Sequence, residues 1–191
     1  MRLLGAEFAR AARMTSINQQ QPEQNHQNLA GPDAVDKIRE LAEGAGTCFF
    51  CTAIPTGGPI PTRPMAVQQV DDEGSLWFLS AIDSQQNAQL AQDDSVQLMF
   101  QGSSHSDFLT LHGRATVTTD RAKIQELWKP MFKTWFTEGS DDPRITVIQV
   151  RPTEGYYWDT KHNRVIVFAK IVAGAVAGKT FDDSIEGRLR V

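Results

Sequence analysis

From Phe108 to Thr118 apolar and polar side chains alternate almost without a break, Leu109 and Leu111 set against Thr110 and His112. That two-residue period is the mark of a half-buried strand. Shorter runs of similar composition flank it. Thr47 to Ile54 (TCFFCTAI) reads as a first strand, and Pro55 to Pro59 (PTGGP) as a turn. A second strand is expected from Ile60 to Arg63, bent by Pro64 and continuing through Val70. The acidic loop Asp71-Asp72-Glu73-Gly74 then makes a hairpin, with glycine where a positive φ is needed. Ser75 to Ser80, Val96 to Gln101, Ile145 to Val150 and Gly155 to Trp158 supply the remaining strands.

Elsewhere the period changes to that of a helix. Val35, Ile38 and Leu41 follow Asp33, which predicts a capped helix through Glu43 that Gly44 and Gly46 end. Ser84 stands before QQNAQL as a second N-cap, with a helix to about Ala91. Asp120 caps a third helix to Lys129, and Pro130 starts a fourth that carries Trp135. Antiparallel strands with short helices at their corners predict a mainly β (α+β) fold, a barrel rather than a parallel sheet.

The ends of the chain read differently. Thr15 to Pro32 is Gln/Asn-rich and poor in large apolar groups, so residues 1–32 are expected to form a disordered tail. MRLLGAEFARAAR lacks the apolar core of a signal peptide, and Met14 is a second possible start. In Asn163 to Gly178 VIVF suggests a strand, while Val165, Phe168, Val172 and Ala175 keep a roughly helical period. Lys170 interrupts this run, which falls short of the ~20 apolar residues a membrane span needs. The expected organisation is therefore a tail (1–32), one domain (33–162) and a closing segment of that domain (163–191).

Composition narrows the function. The 191 residues suit a single soluble domain, and a net charge of −4 argues against broad nucleic-acid binding and against docking on an anionic membrane. Cys48 and Cys51 have redox-motif spacing, but residues three apart in a strand face opposite ways, so buried strand cysteines are expected. Two cysteines and no secretory signal fit a reducing cytoplasm. AGAVAGKT (Ala173 to Thr180) departs from a P-loop at its first position, and too little chain follows to build the sheet such a loop needs. His105 and His112 show no metal-ligand pattern, and no nucleophile elbow or Rossmann glycine motif occurs. Trp77, Trp135 and Trp158 read first as core residues, with Trp128 and Trp135 at helical spacing.

One constellation remains. A strand–turn–strand–helix order from Pro61 to Phe100 places Arg63 near the helix that starts at Ser84. A cation beside the unpaired amides of a helix N-terminus makes a phosphate seat. The plainer alternative is a surface ion pair beside an ordinary helix cap.

Arg63-Pro64-Met65, LWFLS (Leu76 to Ser80), DS-x-x-N-A-Q-L (Asp83 to Leu90), DFLTLHGRATVTTDRAKIQELW (Asp107 to Trp128), Trp135-Phe136, Asp142-Pro143 and YYWD (Tyr156 to Asp159) recur in that order. Together they resemble the pyridoxamine 5'-phosphate oxidase-like FMN-binding family, in its bacterial general-stress-protein branch, over roughly 34–191. The resemblance implies a six-stranded antiparallel split β-barrel with peripheral helices, forming a homodimer with FMN held at the subunit interface. It makes the segment after Asn163 a helix. It implies a flavin site lined by Arg63, Pro64, Met65, Phe78, Leu79, Ser80, Ser84, Gln86 and Asn87, with Trp135 and Trp158 near the dimer seam and Trp158 reaching the flavin. It further implies a stress-related FMN-dependent oxidoreductase using a nicotinamide donor, with no catalytic acid or base assigned. Relatives of this kind carry lysine two residues after the serine. Here that residue is Gln86, which keeps a hydrogen-bond donor and loses the charge. The alternative is a flavin-binding or flavin-less module that senses or buffers without turnover.

Overall fold

The computed structural model describes residues 25–53, 58–103, 106–160 and 184–191. Helix α1 (Pro32–Ala45) buries Ala34, Val35, Ile38, Leu41 and Ala42, the face set by its apolar spacing. Its start differs from expectation. Gly31 occupies the N-cap and Pro32 the first helical position, so Asp33 lies inside the first turn, where its charge meets the positive end of the helix dipole.

Nine strands among the described residues form one mixed sheet, more than the six expected. They are β1 (Leu29–Ala30), β2 (Thr47–Cys51), β3 (Thr62–Ala66), β4 (Gln69–Val70), β5 (Leu76–Ala81), β6 (Ser95–Gln101), β7 (Phe108–Thr118), β8 (Ile145–Thr160) and β9 (Ser184–Arg190). Helices α2 (Gln85–Leu90) and α3 (Arg121–Leu127) lie between strands. The hydrogen-bonded order is β1-β9-β8-β7-β6-β2-β3, while β5 pairs with β8 and β4 pairs with β5. All pairs except β1 with β9 are antiparallel. The sheet curls but does not close, so it is a split barrel.

The split has a local cause. β4 pairs with β5 at Gln69↔Trp77 and Val70↔Leu76, and the Gln68 amide still donates to the Trp77 carbonyl at 2.8 Å. One residue earlier the chain departs: the Val67 amide donates to Gly46 at 3.0 Å, and β3 then pairs along β2. The strand expected to run from Ile60 through Val70 is thus two strands on two sides of an opening. From Phe78 to Ala81, β5 has a ladder partner only on the β8 side.

Inside the barrel, Phe50, Phe78, Leu98, Leu109, Leu111 and Ile148 form a fully buried core that α1 covers with Ile38 and Leu41. A second cluster joins Ile124 and Leu127 of α3 to Phe132, Phe136, Ile145 and Val147. Trp135 ends a short 3-10 turn (Pro130–Thr134) instead of riding on a helix, and it is 61% exposed, not core.

Three further expectations need correction. Ile145 to Val150 and Gly155 to Trp158 are parts of the single strand β8. Pro152 does not end it, because Gly113 pairs with Pro152 and His112 with Glu154, and the extra residue Thr153 forms a bulge. Residues 25–32, assigned to the tail, are ordered: the Glu186 amide donates to Asn25 (3.0 Å), the Gln27 amide to Glu186 (2.8 Å) and the Gly31 amide to Arg190 (3.0 Å). A sheet edge supplies main-chain partners to any residue but proline, so a polar sequence can be ordered there. Finally, Ser184–Arg190 is a strand paired along Glu154–Thr160, not a helix or tail. Residues 1–24 and the expected helix and near-P-loop at 163–180 lie outside the described residues.

Candidate functional site

The Cys-x-x-Cys pair resolves as its spacing requires. Cys48 joins the barrel core, while Cys51 faces the other way and its Sγ lies 3.3 Å from Thr62 Oγ1. Both are free and buried, and burial pushes the Cys48 thiol up to about 12. No group of three or more metal-ligating side chains occurs among the described residues.

Arg63 and Met65 share the inner face of β3 with their partners Phe50 and Cys48 on β2, whereas Pro64 is turned outward and exposed. The Arg63 side chain meets α2. Its Nη2 donates to Gln89 Oε1 at 3.0 Å, and that oxygen also accepts from Thr52 Oγ1 at 2.7 Å. Arg63 Nη1 is buried with no hydrogen-bond partner, and burial holds the guanidinium below its ordinary pKa. One turn before Gln89, Gln86 is 3% exposed and its Nε2 is also buried and unpartnered. Residues three apart on a helix share a face, so Gln86 and Gln89 lie on the same side of α2. Two buried donors without a partner are costly unless an acceptor occupies the space they address.

Ser84 is the N-cap of α2 as expected; its Oγ accepts from the Asn87 amide at 3.1 Å and lies 3.1 Å from Ser80 Oγ. Asn87 acts as a brace, donating through Nδ2 to the Ala81 carbonyl (2.9 Å) and to Thr146 Oγ1 (2.8 Å). These bonds fix the start of α2 to the end of β5 and to β8. Phe78 is wholly buried, its ring meeting Phe50 edge-on at 5.3 Å, so its side chain is floor rather than wall. Leu79 turns away into the cluster around α3.

Trp158 is not near this group within one chain. Following the register from Arg63 through Phe50, Leu98 and Leu111 leads to Gly155, four strands across, and Trp158 lies farther along β8. It neighbours Tyr156, with ring centroids 4.6 Å apart. Burial first, and then the Glu186 carboxylate, pushes the Tyr156 hydroxyl up to about 12.

An open groove of about 910 Å³ runs along the other flank of α2, lined by Asn87, Ala88, Ala91 and Ala115 to Thr119 among others. It includes neither Arg63 nor Gln86, and its charged lining residue is Asp83, an anion. Of the sequence-predicted site residues, Ser84 and Asn87 line it. Sequence reasoning missed Thr52 and Gln89. The helical spacing of Gln86 and Gln89 within QQNAQL was the available signal for the latter.

Comparison with known proteins agrees with this architecture. The model of the family described as "Pyridoxamine 5'-phosphate oxidase like" matches residues 33–182. Protein bli-3 of Neurospora crassa is 28% identical over 131 residues, 64% of this chain and 63% of that protein, so the chain spans less than two thirds of this curated relative. A solved structure named general stress protein 26, from Jannaschia sp. CCS1, superposes with a TM-score of 0.68 at 20% identity, covering 83% of this chain and 99% of the other. The general stress FMN/FAD binding protein of Xanthomonas citri gives 0.52 at 25% identity, with 62% and 82% covered.

Proposed function

This chain belongs to the pyridoxamine 5'-phosphate oxidase-like family, and we propose that it is an FMN-binding oxidoreductase with a stress-related role, working as a homodimer in the cytoplasm. The observation that carries the reading is the pair of buried, unpartnered donors, Arg63 Nη1 and Gln86 Nε2, on one side of α2. Both lack an acceptor, and a phosphate is an acceptor on every oxygen, so the residues present fit the phosphate end of FMN. No described helix is long and apolar enough to cross a membrane.

In this reading Arg63 offsets the phosphate charge and Gln86 adds a neutral donor. Ser80, Ser84 and Asn87 hold the β5–α2 corner in place, and the open edge of β5 with Met65 borders the ring. Phe78 and Phe50 give that edge a rigid floor. Trp158 reaches the cofactor only across the seam of a homodimer. FMN bound here would supply the redox chemistry between a nicotinamide donor and a small-molecule acceptor. The protein's part is orientation, electrostatics and access.

Gln86 favours a second reading, a module that senses or buffers flavin without turnover, because the seat has one cation where the family resemblance implies two. A visible spectrum of the purified protein separates the two. The oxidoreductase reading expects flavin bands that a nicotinamide donor bleaches and oxygen restores. Stable bands unaffected by any donor favour the second reading, and a colourless protein that ignores added FMN refutes both flavin-bound forms.

A further inference from the structure

We propose that Thr52 and Gln89 are positioning residues that aim the Arg63 guanidinium at its anion without cancelling its charge. This rests on the reading of Arg63 as the phosphate ligand. The Gln89 side-chain oxygen has two lone pairs, and both are in use: Thr52 Oγ1 donates at 2.7 Å and Arg63 Nη2 at 3.0 Å. Thr52 is fully buried, and its own amide donates to the Pro61 carbonyl at 3.1 Å, so the chain fixes the hydroxyl that pins the amide.

A purely structural arginine in this position would be matched by a carboxylate, which neutralises the buried charge. Arg63 forms no ion pair with a described residue. Its anchor is a neutral amide, and the neighbour on the same helix face, Gln86, is another. The guanidinium therefore keeps its full charge while one nitrogen is tethered and the other, Nη1, is left without a protein partner. A planar, rigid fork tethered at one tine has a defined direction at the other. Gln89 sets that direction, and Thr52 sets Gln89.

The test is a titration of the purified chain with FMN and with riboflavin, which lacks the phosphate, followed by fluorescence quenching. Gln89→Glu keeps the shape but pairs Arg63 with a carboxylate. FMN affinity should drop by about tenfold or more while riboflavin affinity stays within about twofold. Thr52→Val removes only the hydroxyl and should weaken FMN by about threefold to tenfold, and Thr52→Ser should restore it. Equal losses for both flavins, or no loss in either variant, overturn the proposal. Unfolding of both variants also overturns it, since a contact that only aims a cation is dispensable for folding. Arg63→Ala separates the two levels. If it lowers the FMN-to-riboflavin affinity ratio but Gln89→Glu and Thr52→Val do not, positioning fails and the phosphate reading stands. If Arg63→Ala leaves the ratio unchanged, or the wild-type chain binds neither flavin, both fall.

Discussion

At the scale of single residues the proposed phosphate seat rests on Arg63 and Gln86, and the two are separable by measurement. Gln86 is a buried donor with nothing to donate to. Gln86→Lys would replace a neutral hydrogen bond to phosphate with a charge-assisted one, worth roughly 1 kcal/mol more. FMN affinity should rise about fivefold to tenfold and riboflavin affinity should not. Arg63→Ala should do the reverse, and fluorescence titration of both flavins reads each change. A parallel gain for riboflavin would remove residue 86 from the phosphate site. Phe78 belongs to a different class. Its side chain is core, in edge-on contact with Phe50, so Phe78→Ala should cost about 3–5 kcal/mol of stability, read by urea unfolding. A stability loss under ~1 kcal/mol would mean that the barrel floor is loosely packed there. The resemblance grouped Phe78 with Arg63 because motifs record which residues recur. They do not record whether a side chain or its backbone is the reason.

At the scale of elements, what the sequence made legible follows from how each element is held. Strand β7 was found to the residue because its side chains alternate between core and solvent. The Ser84 and Asp120 caps were found because their side chains bond the next turn, a local event. β1 and β9 were missed because main-chain ladders hold them, and those leave little trace in composition. The β3–β4 break was missed because a bend at Pro64 and a change of partner at Val67 look alike in one dimension. The N-terminal segment tests this account. Gly187 lies so close to Gln27 that a Cβ would collide with its carbonyl oxygen, which is backbone and cannot swing aside. Gly187→Ala should detach residues 25–30 from β9, forfeiting the Gln27 and Glu186 main-chain bonds and that from Tyr157 Oη to Gln27. At about 1 kcal/mol per bond, less the chain entropy regained, the net loss is of order 2 kcal/mol. That corresponds to about 4–8 °C in Tm. Amide exchange should speed up at Gln27 and Gly31 while that of β6 and β7 is unchanged. An unaltered Tm would show that the segment contributes nothing to the fold.

For the whole molecule, the outer face of the sheet poses the remaining question. The register brings Pro64, Phe49, Met99, Thr110 and Tyr156 into one row across five strands, on the face opposite the barrel core. Phe49, next to Pro64 in that row, is 56% exposed, and the half-buried Trp158 lies one row away. Apolar surface of this extent on a sheet is suited to covering by another sheet. Covering it with a second copy would also explain how Trp158, four strands from Arg63 in its own chain, takes part in one site with it. The proposed homodimer and the proposed FMN site are thus linked. Phe49→Asp would put a charge in that row. It should shift the protein from dimer to monomer in sedimentation at micromolar concentration, with little change in monomer stability because the side chain is already exposed. If the site is shared, FMN affinity should fall as dimerisation is lost and recover at high protein concentration. A Phe49→Asp monomer that binds FMN as tightly as the wild-type chain would mean that each barrel completes its site alone, and Trp158 would then have no role in it.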